Sequence, residues 1–127
     1  MKIQEVSEKF EISTDTLRYY ERIGLIPVVN RTESGIRNYT EEDMRRVDFV
    51  KCMRSAGLPI EVLIDYMALA QKGDSTIATR KEILLEQREQ LMARIAEMQK
   101  TLEILNYKIQ VYESKMLETE KKIKVEE

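Results

Sequence analysis

The chain has 127 residues, 43% hydrophobic and 35% charged, with 21 Lys and Arg against 23 Asp and Glu for a formal net charge of −2. That balance argues against a protein whose whole surface attracts nucleic acid, although a local cluster of cations would still suffice. With no His, one Cys and no glycine-rich phosphate loop, no catalytic residue, metal site or cofactor is expected, an intrachain disulfide is excluded, and the chain does not read as an enzyme.

No apolar run is long enough to span a membrane, and MKIQEVSEKF alternates charge too early for a signal peptide, so a soluble, cytoplasmic protein is expected. Ile3, Val6 and Phe10 have the spacing of a short one-sided helix. Ser13 or Thr14 then caps a second helix reading to about Ile23, with Leu17 and Tyr20 on the face of Gly24, and Thr14, Arg18 and Glu21 on others. Two short helices with a tight link form a helix-turn-helix pattern, whose second helix normally enters a major groove. Leu25-Ile26-Pro27 stops that helix. Val28-Val29 and Ile36 to Tyr39 are brief strand candidates joined through Thr32-Glu33-Ser34-Gly35. That hairpin is either a wing or a plain polar surface hairpin.

Thr40 followed by Glu41-Glu42-Asp43 starts a third helix through a capping box. The helix carries Met44, Val47, Phe49, Val50 and Met53 and ends at Ser55-Ala56-Gly57. Pro59 falls in the first turn of a fourth helix, whose apolar side is Val62, Leu63, Tyr66, Met67 and Ala70. Lys72-Gly73-Asp74-Ser75 is a break, and from about Thr76 to Met116 one long helix contains neither Gly nor Pro. Leu84, Leu91, Ile95, Met98, Leu102, Leu105, Ile109, Tyr112 and Met116 recur along it in a heptad register, interrupted only by the charge of Arg88. No other segment is long enough to cover that seam, so a homodimer through a coiled coil is expected; periodicity leaves parallel and antiparallel open. The expected organisation is a DNA-binding head at 1–74, a dimerisation coil at 75–117 and a frayed tail at 118–127.

The chemistry-bearing residues each admit two readings. Arg18 can fork a phosphate or a guanine edge, or pair with Glu21 or Asp15 on the surface. Tyr19 and Tyr20 are adjacent and must diverge; the spacing from Leu17 puts Tyr20 inward. Thr14 and Thr16 can donate to phosphate or merely cap the helix. On the hairpin, Arg37 is the second cation suited to phosphate, supported by Arg31 and Asn38, while Tyr39 packs the wing against the helices. Cys52 shares a side of the third helix with Phe49 and Ala56, so it is either core filling or a thiol made reactive by Lys51 and Arg54, with Asp48 opposing.

Taken together, LRYYE-x-x-G-L at Leu17 to Leu25, G-x-R-x-Y at Gly35 to Tyr39 and R-S-x-G-L at Arg54 to Leu58 resemble the MerR family of bacterial transcription regulators. The resemblance runs to about Met116. It implies a mainly α fold: a winged helix-turn-helix head followed by a long helix that dimerises as an antiparallel coiled coil. It also implies binding to double-stranded promoter DNA within an overlong spacer, which the dimer bends and untwists for bacterial RNA polymerase. Thr14, Thr16, Arg18 and Tyr19 match the recognition-helix positions, Tyr20 the second tyrosine and Arg37 the wing arginine, whereas Asn38 and Ile36 depart from the usual Arg and Tyr. Cysteines of the metal-sensing members are absent at Ser75 to Thr79 and after Tyr112. What remains resembles the thiol-based subgroup that responds to aldehydes and related electrophiles, with one cysteine in a K-C-M-R-S-A-G context, here Lys51 to Gly57. In that reading Cys52 is the sensor, and an adduct overfills a packed site and shifts the head against the coil. The competing readings are a repressing or architectural dimer with a structural Cys52 and a small ligand between head and coil, and a coiled-coil protein that binds no DNA.

Overall fold

The computed structural model describes residues 1–126, with side chains as far as Glu120; Glu127 lies outside the described residues. Helix α1 (Ile3–Phe10) begins where the Glu5 carboxylate accepts the Lys2 N–H at 3.1 Å, and ends at Glu11, which takes a left-handed φ of 56°. Ser13 starts α2 (Thr14–Arg22): its Oγ accepts from the Thr16 N–H at 3.1 Å, satisfying a donor that the helix cannot. Gly24, at φ +79°, lets the chain turn back, and the Leu25 and Ile26 N–H groups both donate to the Tyr20 carbonyl. Leu25 and Ile26 thereby enter the core beside Val6 and Leu17.

The hairpin is less regular than its residues suggest. The strands expected at Val28-Val29 and Ile36 to Tyr39 do not form; among the described residues the legs share one antiparallel bridge, Arg31 with Arg37. Flanking it, Asn38 N–H donates to Asn30 and Thr32 N–H to the Ile36 carbonyl, each at 2.7 Å. Pro27 supplies no donor to the outgoing leg. Val28 is 82% exposed, so Val29 alone anchors that leg inside. One register with one inward side chain makes a wing, but not a sheet.

Helix α3 (Glu41–Ser55) opens with the expected capping box: Thr40 Oγ1 accepts from Asp43 N–H at 3.1 Å, and Asp43 Oδ2 accepts from Thr40 N–H at 2.9 Å. Those bonds are what allow Asp43 to be buried. Val47 and Val50 face the core. Pro59 stands just before α4 (Ile60–Gln71) as its N-cap rather than inside its first turn, and α4 contributes Leu63 and Met67 to the core.

A 3₁₀ turn (Asp74–Thr76) then leads into α5 (Ile77–Glu126). Thr76 Oγ1 donates within reach of the Leu69 and Gly73 carbonyls and accepts from Arg80 Nε at 2.9 Å, sealing the end of α4. The chain divides into two compact units, one ending at Gln87 and one beginning at Arg88. The first therefore takes in the opening turns of α5 beyond residue 74, where Thr76 and Gln87 are buried. The tail expected to fray from Glu118 is helical as far as Glu126, and its last residue falls outside the described part.

Tyr39 occupies the place foreseen for it, buried against the helices at 2% exposure. Its hydroxyl has no hydrogen-bond partner among the described residues, and burial, followed by the nearby Glu21 carboxylate, pushes its pKa up. An unmade bond of this kind costs about 1–3 kcal/mol. Tyr39→Phe is therefore expected to leave the thermal midpoint unchanged or raise it, measured by circular dichroism. A loss of stability beyond about 1 kcal/mol would mean that the hydroxyl is satisfied in solution.

Candidate nucleic-acid interface

The outward face of α2 is built by what its inward face needs. Leu17 is fully buried and Tyr20 packs against the core one turn later, so Arg18 and Tyr19 are left exposed. Thr14 and Thr16 are half-buried at the helix start. Thr16 Oγ1 lies 2.8 Å from Ser13 Oγ, and Thr14 Oγ1 accepts from Arg18 Nη1 at 3.4 Å. Both hydroxyls are thus engaged locally, although Ser13, and neither threonine, is the cap, and both stand beside the exposed face.

Arg18 also pairs with Asp15, Nη1 to Oδ1 at 3.1 Å, with side chains 48% and 95% exposed. An ion pair so open to water is worth about 0–1 kcal/mol, so a phosphate oxygen can displace Asp15 at little cost. Arg22, which the sequence reading passed over, sits one turn on from Arg18, its guanidinium 5.3 Å from the Tyr19 ring centre. The signal was present: Arg18 and Arg22 are four apart on one helix, so they share a face.

Arg37 is differently placed. Its Nε meets Glu21 Oε1 at 3.4 Å, and both side chains are mostly covered. Arg31 donates through Nη1 to the Gly35 carbonyl at 2.9 Å, steadying the wing tip. Asn38 Oδ1 accepts from the Met1 amino group at 3.0 Å, so it ties the start of α1 to the wing. The structure brings Thr14, Arg18 and Tyr19 together on α2 and Arg31 and Arg37 together on the wing; Tyr20 belongs to the interior.

Cys52 does not take the buried place expected for it. It is exposed on α3 in this chain, so it neither fills the core nor occupies a packed site that an adduct would overfill. Its cationic neighbours are also turned elsewhere: Lys51 donates to the Phe10 carbonyl at the end of α1, and Arg54 Nη1 to the Leu58 carbonyl at 2.9 Å. The buried arc of α3 is narrow, centred on Val47 and Val50, and Phe49 lies at its edge, stacked on Tyr66 with centroids 5.4 Å apart. Among the described residues no cluster of His, Cys, Asp and Glu could hold a metal ion, and no helix is long and apolar enough to cross a membrane.

Along α5 the heptad row stands open. Ile95, Met98, Leu102, Leu105, Ile109 and Tyr112 are all exposed, as is Leu84, while Leu91 is half-buried. Shallow apolar hollows lie along it, one lined by Ile95, Met98, Leu102 and Leu105, the next by Ile109, Tyr112 and Met116.

Comparison with known proteins agrees with this geometry. The family described as "MerR HTH family regulatory protein" matches residues 1–70, and "MerR, DNA binding" matches residues 44–107. The HTH-type transcriptional regulator AdhR of Bacillus subtilis is 52% identical over 92 residues, which is 72% of this chain and 66% of AdhR. The regulator ZntR of Escherichia coli is 34% identical, covering 83% of this chain and 77% of ZntR. A solved MerR family regulator from Listeria monocytogenes superposes with a TM-score of 0.92 at 47% identity, over 98% of this chain and 94% of that one. HiNmlR, described as a MerR family regulator lacking the sensor domain and solved bound to promoter DNA, gives a TM-score of 0.82 at 30% identity, over 89% and 90%. These relatives are transcription regulators, not enzymes, and the chain belongs to the MerR family of helix-turn-helix regulatory proteins.

Proposed function

We propose that the protein is a homodimeric regulator that grips promoter DNA with α2 and the wing, deforms the spacer for RNA polymerase, and responds to an aldehyde or related electrophile through Cys52. The observation that carries the DNA half is the outward face of α2. Arg18, Tyr19 and Arg22 stand exposed there, beside a wing bearing Arg31 and Arg37, although the chain as a whole is acidic. Cations concentrated on one helix and one loop can neutralise phosphates locally whatever the net charge. HiNmlR, a relative described as lacking the sensor domain, was solved on promoter DNA, which supports the same use here. Thr14, Thr16, Arg18, Tyr19 and Arg37 take the contact roles. Asn38 adds only an amide where a second wing arginine would add charge, and Tyr20 acts by packing.

The seam from Leu84 to Tyr112 makes the dimer, since its apolar row is stable only against a second helix. A dimer implies an inverted repeat, and much of the sequence preference then comes from how readily the DNA between half-sites deforms.

For the sensor half, the support is the Lys51 to Gly57 context together with the likeness to AdhR. An exposed thiol is open to a solute electrophile, and with an aldehyde the Sγ–C bond forms while the thiol proton ends on the former carbonyl oxygen. The adduct would then act on the outer surface of α3 rather than inside the core.

Binding to a duplex from the protein's own upstream region, followed by anisotropy across a salt series, tests the DNA half. Arg18→Ala is expected to weaken binding and to flatten the salt slope by about 0.9, the share of one phosphate contact. An unchanged slope would remove Arg18 from the contact face. For the sensor half, Cys52→Ser is expected to abolish aldehyde induction of the target promoter while DNA affinity stays at the wild-type level. Induction that survives the substitution would make the cysteine incidental.

A further inference from the structure

An acidic residue on a DNA-reading helix needs an explanation, because a carboxylate close to phosphates is repelled by them. Glu21 is such a residue, in the last turn of α2, with its side chain only 12% exposed. Its position is accounted for by a single oxygen. Oε1 accepts from the Val29 N–H at 3.2 Å and from Arg37 Nε at 3.4 Å. Val29 lies on the outgoing leg of the wing and Arg37 on the returning leg. One carboxylate oxygen therefore clasps both legs at the base of the wing and fastens them to α2.

The two arginines nominated for phosphate differ in this respect. Arg18 meets Asp15 through Nη1, one of the terminal nitrogens that would fork a phosphate, on an exposed surface. Arg37 meets Glu21 through Nε, at the root of the guanidinium. That contact leaves the geometry of the Nη1/Nη2 fork intact, and the covered setting makes it less sensitive to salt than a surface pair. We infer that Glu21 is the positioning residue of the wing: it holds both legs against α2 and presents the outer end of Arg37 to the duplex. The inference rests on the DNA-binding reading above and adds to it a residue that touches no DNA.

The test uses the full-length protein and the same upstream duplex, with affinity measured against salt for the wild type and for Arg37→Ala, Glu21→Ala, Glu21→Gln and Glu21→Asp. If Arg37 reaches a phosphate, Arg37→Ala flattens the slope by about 0.9. Glu21→Ala should flatten it equally, and adding it to Arg37→Ala should cost nothing further, because both changes remove one contact. Glu21→Gln keeps an acceptor oxygen at the same reach and should retain the wild-type slope. Glu21→Asp keeps the charge but is one methylene short, and should behave like the alanine variant. The inference is overturned if Glu21→Ala or Glu21→Asp keeps the full slope, if Glu21→Gln loses it, or if the losses in the double variant multiply as independent ones would. Should Glu21→Ala not fold, the Gln and Asp variants decide alone. A wild-type protein that does not bind the duplex would sink the DNA reading itself. An Arg37→Ala variant with an unaltered slope would remove the arginine that Glu21 is said to present.

Discussion

The proposed dimer depends on a row of apolar side chains that their own unit leaves in water. Along α5, Ile95, Met98, Leu102, Leu105, Ile109, Tyr112 and Met116 are between 47% and 70% exposed, spaced so that all fall on one narrow stripe. Fully burying one such side chain is worth about 1.5–3 kcal/mol, so the stripe is a strong drive for a second helix. A 50-residue helix has no way to bury its own seam. The remaining helices, the longest of them α3 at 15 residues, are too short to follow it. A second copy of α5 has both the length and the matching period. In the proposed dimer the DNA-binding elements are held in pairs, which is what an inverted repeat requires.

The surface proposed to read DNA follows a second constraint, that charges must be kept in order before a duplex arrives. Arg18 is paired with Asp15 and Arg37 with Glu21 in the unbound chain. The Asp15 contact is open to water and easily exchanged; the Glu21 contact is sheltered and shared with a backbone N–H. In the proposed reading the same ion-pair chemistry serves as a placeholder in one case and as a clamp in the other, and burial makes the difference. Tyr39 lies beneath this arrangement, and burial and the Glu21 carboxylate together raise its pKa.

Features set by local chemistry were legible in the sequence. Ser13 and the Thr40–Asp43 box could be read because a cap needs one side chain and an N–H three residues away. The inward place of Tyr20 and the single apolar row of α5 could be read because helical periodicity fixes which residues share a face. Where partners are distant, pattern reading failed. The wing legs have strand-like composition, yet Pro27 and a single inward valine leave one bridge in place of two strands. For Cys52, spacing puts it on the side of Phe49 and Ala56, but the buried arc of α3 stops short of it. Lys51 and Arg54 flank the thiol in sequence, yet each reaches a carbonyl elsewhere. The Glu21 clasp joins residues eight and sixteen positions apart across a loop, a distance that no periodic pattern records.

The central claim is that α5 seams zip two chains together, and the most direct measurement is the mass of the free protein by sedimentation equilibrium at micromolar concentration. A single species of twice the chain mass is expected, persisting at high salt because the seam is apolar. A species of one chain mass under those conditions would contradict it, since a monomer has nothing to hold two recognition helices in register on one duplex.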